Sequence, residues 1–68
     1  MPRVTGRLIR WFTERGFGFV SHPNGTDHFV HWDAITSGRE RVRPGATVAY
    51  EAQDAPKGPR AVDVEVLQ

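Results

Sequence analysis

Two short aromatic runs, Arg15-Gly16-Phe17-Gly18-Phe19-Val20 and His28-Phe29-Val30-His31-Trp32, flank a segment containing Pro23 and the pair Asn24-Gly25. Alternate side chains of a β-strand share a face. Phe17 and Phe19 therefore project together from the first run, and Phe29 and His31 from the second, while Gly18, Val20 and Val30 take the opposite face. Asn-Gly and Pro supply the positive or preset φ that tight turns need, so the two runs read as an antiparallel hairpin. Its rings can face either way. Turned inward, Phe17, Phe19 and Phe29 would fill a core, where most phenylalanines lie; turned outward, they would form a platform on which unpaired bases stack.

The remaining chain supplies three more strands. Thr5 to Phe12 reads as the first, after a frayed Met1 to Val4. The adjacent pairs Leu8-Ile9 and Trp11-Phe12 break strict alternation, which points to a β-bulge or to the coiling of a small barrel. Ile9 is expected inside, with Arg10 and Trp11 outside; Phe12 can support the core edge or widen the aromatic face. Asp33-Ala34-Ile35 forms a turn that buries Ile35, and Thr36 to Gly45 is a long charged loop. Thr47 to Ala52 alternates as a fourth strand, Gln53 to Pro59 is a loop containing Lys57, and Ala61 to Leu67 is a fifth strand. The expected core is Ile9, Val20, Val30, Ile35, Val48, Tyr50, Val62, Val64 and Val66, with His28 hydrogen-bonded at the rim. No stretch carries apolar residues at helical spacing over three turns. The chain is thus expected to be all-β, a small five-stranded antiparallel barrel whose core can close without the hairpin phenylalanines, so that either orientation of the rings stays open.

Composition narrows the function. A chain of 68 residues makes one small domain near the lower limit for an adequate core, and its 38% hydrophobic content argues for a folded one. Without cysteine there is no disulfide and no thiolate metal site. No apolar run reaches membrane-spanning length and the N-terminus lacks a signal-peptide core, so the expected location is cytoplasmic, with no membrane partner. The net charge is only +1, which is weak for holding nucleic acid by charge alone. Arg3, Arg7, Arg10 and Arg15 nevertheless cluster near the start of the chain, where they can flank the aromatic face. The carboxylates are scattered, and His28 and His31 point to opposite strand faces, so neither an enzyme centre nor a metal site is expected.

Arg15 to Val20 matches the first six positions of the RNA-binding consensus [KR]-G-[FY]-[GA]-F-V, with His22 at the eighth position, where an aromatic is expected. Phe29-Val30-His31 followed by an aromatic resembles the second ribonucleoprotein motif of the cold-shock domain. Gly6-Arg7-Leu8-Ile9-Arg10-Trp11-Phe12 and Lys57-Gly58-Pro59 fall where bacterial cold-shock proteins carry their first strand and their basic-Gly-Pro loop. The resemblance runs from about Thr5 to Leu67. The RNA recognition motif has the same two signatures in the opposite order, with helices, and is set aside. Two features depart from the family: Thr13-Glu14-Arg15 is one residue short, and Arg39, Glu40 and Arg41 stand where a further aromatic is common.

The resemblance implies an OB-fold barrel whose second and third strands bind the ligand. It implies a binder of single-stranded RNA and DNA that acts as an RNA chaperone or as a regulator of transcription or translation in the cold-shock stress response, with no cofactor. Trp11, Phe17, Phe29, His31 and Trp32 would stack on bases, with Phe19 as a supporting ring and Phe12 beside them. Arg10, Arg15 and Lys57 would contact phosphates or base edges. His31 can stack when neutral and add charge when protonated, so binding should tighten on acidification. A monomer is expected, a strand-swapped dimer through the Thr36 to Gly45 loop being the alternative. The competing function is a protein-interaction module using the same aromatic face.

Overall fold

The computed structural model describes residues 3–23 and 25–67. Among the described residues there are five longer strands and one short one: β1 (Arg3–Phe12), β2 (Phe17–Ser21), β3 (Asp27–His31), β4 (Ile35–Ser37), β5 (Thr47–Ala55) and β6 (Gly58–Val66). Single 3-10 turns occupy Trp32–Ala34 and Arg39–Arg41. The sheet order is β3-β2-β1-β5-β6-β4, and a further pairing of β3 with β6 closes it into a barrel. The β1–β2, β2–β3, β1–β5 and β5–β6 pairs are antiparallel. The closing β3–β6 pair is parallel and has the single register pair Phe29 and Arg60. Among the described residues no helix is long and apolar enough to cross a membrane.

β1 serves both halves of the barrel, pairing with β5 through Arg3 to Arg7 and with β2 through Arg7 to Phe12. Gly6 sits at this handover, where an added Cβ would strike the Ser21 carbonyl. Arg3 and Val4 are thus strand residues and not part of a frayed start; Met1 and Pro2 lie outside the described residues, as does Asn24 in the β2–β3 turn. The expected bulge is present. Leu8 faces Val20 and Arg10 faces Phe19, so Ile9 is the extra residue. The bulge resets the alternation, which puts Leu8 in the core at 2% exposure and leaves Ile9, expected inside, 42% exposed.

A second bulge corrects the last strand. Ala49 pairs with Glu65 but Glu51 with Val62, which leaves one extra residue on β6. Asp63 takes it up at φ 50, a left-handed conformation that Asp tolerates better than most residues. Ala61 is therefore buried while Val62, expected in the core, is only half-buried. Arg3 reaches across to the bulge, its Nη2 donating to the Asp63 carbonyl at 2.7 Å and to the Ala49 carbonyl at 3.1 Å.

The anticipated Gln53 to Pro59 loop is largely strand. Gln53 pairs with Arg60, Asp54 with Pro59 and Ala55 with Gly58, leaving a two-residue turn at Pro56-Lys57. Pro56 presets φ for the turn, and Gly58 adopts φ 125 beyond it. The charged Thr36 to Gly45 segment is also more ordered than a loop. Its start is β4, parallel to β6, and Gly38 at φ 79 packs its Cα against Val66 too closely for any side chain. Val42 packs against the core.

That core comprises Leu8, Val20, Val30, Ile35, Ala46, Val48, Tyr50, Ala61, Val64 and Val66. No phenylalanine belongs to it. His28 is buried at 5% exposure, with its Nδ1 3.4 Å from the Thr26 carbonyl. Its ring stacks on His22 at 4.8 Å and lies 5.7 Å from Tyr50.

Candidate nucleic-acid interface

Strand register assembles the outer face into two rows. In the first, Arg10 on β1, Phe19 on β2, Phe29 on β3, Arg60 on β6 and Gln53 on β5 are successive partners. Phe12, Phe17 and His31 form the second. Both lie opposite Val20 and Val30, which are fully buried, so the rings face outward. The four phenylalanines touch in sequence: Phe12–Phe17 at 5.2 Å, Phe17–Phe29 at 5.4 Å and Phe19–Phe29 at 5.9 Å between centroids. His31 adjoins Phe29 at 6.5 Å. Phe12, whose side was open, is 39% exposed and widens this face.

Trp11 behaves differently from the expectation that it would stand outside with Arg10. Its register partner is Gly18, which faces inward, and the indole is half-buried against the core. Gly18 makes room for it, since an added Cβ would lie 2.7 Å from Trp11 Cε3 and would collide with the Arg10 carbonyl. Trp11 meets Trp32 at 6.1 Å. Among the described residues no ring contact joins this pair to the phenylalanines, so the aromatic surface has two parts.

The β1–β2 turn and the first 3-10 turn hold the pair in place. Arg15 and Gly16 both donate backbone N–H bonds to the Phe12 carbonyl, and Trp32 N–H donates to the Gly16 carbonyl at 2.8 Å. His31 caps the 3-10 turn, its Nδ1 accepting from the Asp33 N–H at 3.2 Å, which fixes the ring's orientation. The Asp33 carboxylate lies 3.6 Å from the same nitrogen. Arg39 lies over the Trp32 ring, its Cζ 4.9 Å from the centroid, and its Nε donates to the Ile35 carbonyl at 2.9 Å. A guanidinium thus covers one indole face in a loop that lacks the extra aromatic.

The charged residues spread around the rings. Arg10 is exposed at one end of the first row and Arg15 on the β1–β2 turn. Lys57 tops the β5–β6 turn and lines an open cleft with Phe19, Asp27, Phe29, Pro56, Pro59 and Arg60. Arg60 also borders a second cleft beside His31 and Asp33. The sequence reading missed Arg60 because it began the last strand at Ala61. Extending the alternation back to Gly58 places Arg60 on the outer face. Among the described residues no group of three or more His, Cys, Asp or Glu side chains could hold a metal ion.

The model of the 'Cold-shock' DNA-binding domain matches residues 5–67. The chain belongs to the cold-shock domain family. It is 43% identical over 61 residues to the major cold shock protein of Streptococcus pyogenes serotype M6, covering 87% of this chain and 91% of that one. It is 39% identical over 62 residues to the cold shock-like protein of Thermotoga maritima, covering 88% and 94%. The solved Drosophila Unr CSD456 structure superposes with a TM-score of 0.81 at 16% identity; the match covers 98% of this chain and 27% of that one, and it shows the OB-fold. Cold-shock domains bind nucleic acid and are not enzymes.

Proposed function

We propose that this cold-shock domain binds single-stranded RNA and DNA by stacking unpaired bases on its two ring groups. One observation carries the reading: among the described residues ten buried side chains form the barrel core, while Phe12, Phe17, Phe19 and Phe29 form a contiguous ring surface outside it. Every base has a π-face, and stacking on an aromatic side chain contributes about 1–3 kcal/mol per base with little regard to sequence. A duplex hides those faces inside its own stack, so double strands bind weakly.

Phe17, Phe29, His31, Trp11 and Trp32 are the stacking residues, with Phe19 and Phe12 supporting them. Arg10, Arg15 and Lys57 neutralise phosphates or meet base edges. Few phosphates are involved, so the log-log dependence of affinity on salt is shallow, about −0.7 for each phosphate neutralised on a single strand. By holding only the open strand, the domain shifts RNA hairpins towards melting through mass action, without ATP. This is the work of a cytoplasmic RNA chaperone in a cold-shock response, carried out by a monomer.

The test is tryptophan fluorescence during titration with a short pyrimidine-rich single strand, beside the matching duplex, at several salt concentrations. Quenching by the single strand alone, with a shallow salt slope, is the expected outcome. Equal response to the duplex, or a steep slope, would overturn the stacking mechanism. If a partner protein is bound instead and that binding is lost in Phe17→Ala with Phe29→Ala, the face serves protein interaction.

A further inference from the structure

Arg60 occupies a position that the stacking function does not by itself require. It is the register partner of Phe29 across the barrel closure and of Gln53 on its other side, so its side chain rises from the same face one strand away, about 4.8 Å in the pairing direction. A base stacked on Phe29 can turn an edge towards that neighbouring strand. The guanidinium is held in place, its Nε donating to Gln53 Oε1 at 3.0 Å. Among the described residues the structure shows no partner for its two terminal nitrogens.

We propose that Arg60, oriented by Gln53, reads guanine at the base that stacks on Phe29; the inference rests on the stacking function proposed above. A planar guanidinium offers parallel donors, and guanine presents two adjacent acceptors, O6 and N7, on one edge. Thymine, uracil and adenine present no adjacent pair of acceptors on an accessible edge. Cytosine has O2 and N3, but O2 adjoins the sugar, and its single ring covers less of Phe29 than the two rings of guanine. The surroundings favour a base edge over a phosphate at this point. Asp27 lines the cleft on one side of Phe29 together with Lys57, and Asp33 the cleft on the other; two carboxylates against one lysine disfavour a charged phosphate close to Arg60 more than an uncharged base.

The experiment titrates the intact protein with a short oligothymidine and with strands in which one thymine at a time is replaced by guanine, cytosine or 7-deazaguanine, followed by tryptophan fluorescence at fixed salt. Guanine at one position is expected to tighten binding about tenfold, the lower part of the range for a bidentate contact, and 7-deazaguanine, which lacks the N7 acceptor, to lose most of that gain. Arg60→Gln should abolish the gain and Arg60→Lys should reduce it, because lysine keeps the charge but not the planar fork. A gain that survives in Arg60→Gln, persists with 7-deazaguanine, or is equalled by cytosine overturns the assignment. Tight oligothymidine binding with no gain at any position also overturns it and leaves the stacking function standing. Failure of the wild-type protein to bind any single strand overturns both.

Discussion

Phe17 and Phe29 lie at the centre of the ring surface and outside the core, so their replacement separates binding from folding. Alanine at either position should weaken binding of a pyrimidine single strand by about 1–3 kcal/mol, measured by fluorescence titration, while the thermal midpoint changes far less than for alanine at Val20 or Val30. Tyr50 presents the opposite case. It is fully buried, and among the described residues its hydroxyl has no hydrogen-bond partner. Burial pushes that hydroxyl above its ordinary 10.0. Below that pH both folded and unfolded chains keep the proton and stability is unaffected by it. Above it the unfolded chain ionises first, so stability falls as pH rises. Tyr50→Phe should abolish this alkaline loss in denaturant titrations at stepped pH. At neutral pH it should stabilise the barrel by about 1 kcal/mol, by removing an unsatisfied polar atom. Arg39 contributes at the same scale: its guanidinium already rests on Trp32, so a base that stacks there must displace it or lie on its outer side.

At the level of strands, the outward aromatic hairpin and the parity of Val48, Tyr50, Val64 and Val66 were legible in the sequence, because alternation is enough to assign a face when no bulge intervenes. Ile9 and Val62 were misassigned for one physical reason: each lies beside a bulge that shifts alternation by one residue. The adjacent apolar pair Leu8-Ile9 signalled the first bulge but not which member would turn inward. Nothing in the run from Ala61 to Leu67 marked Asp63 as the residue that would adopt a left-handed backbone. Pro56, Gly58 and Pro59 disguised strand as loop, and Arg60 was hidden with them. Two substitutions test how these irregularities are held. Arg3→Ala removes both hydrogen bonds to the β6 bulge and the strand beside it, and should lower stability by about 1 kcal/mol, read as a shift of the urea midpoint at constant slope. Gly18→Ala forces a Cβ against Trp11 and the Arg10 carbonyl. It should prevent the native pairing of β1 with β2, seen as loss of the folded amide dispersion in NMR spectra.

For the barrel as a whole, the long antiparallel ribbons are joined by many register pairs, but the closure between β3 and β6 has one, Phe29 with Arg60. A small barrel that keeps its largest rings on the surface has little stability to spare, and its opening should begin where it is most thinly laced. A bound strand lying across Phe29 and Arg60 would act as a splint over that line. Amide exchange along β3 and β6 should therefore slow more on ligand binding than exchange in the β5–β6 turn.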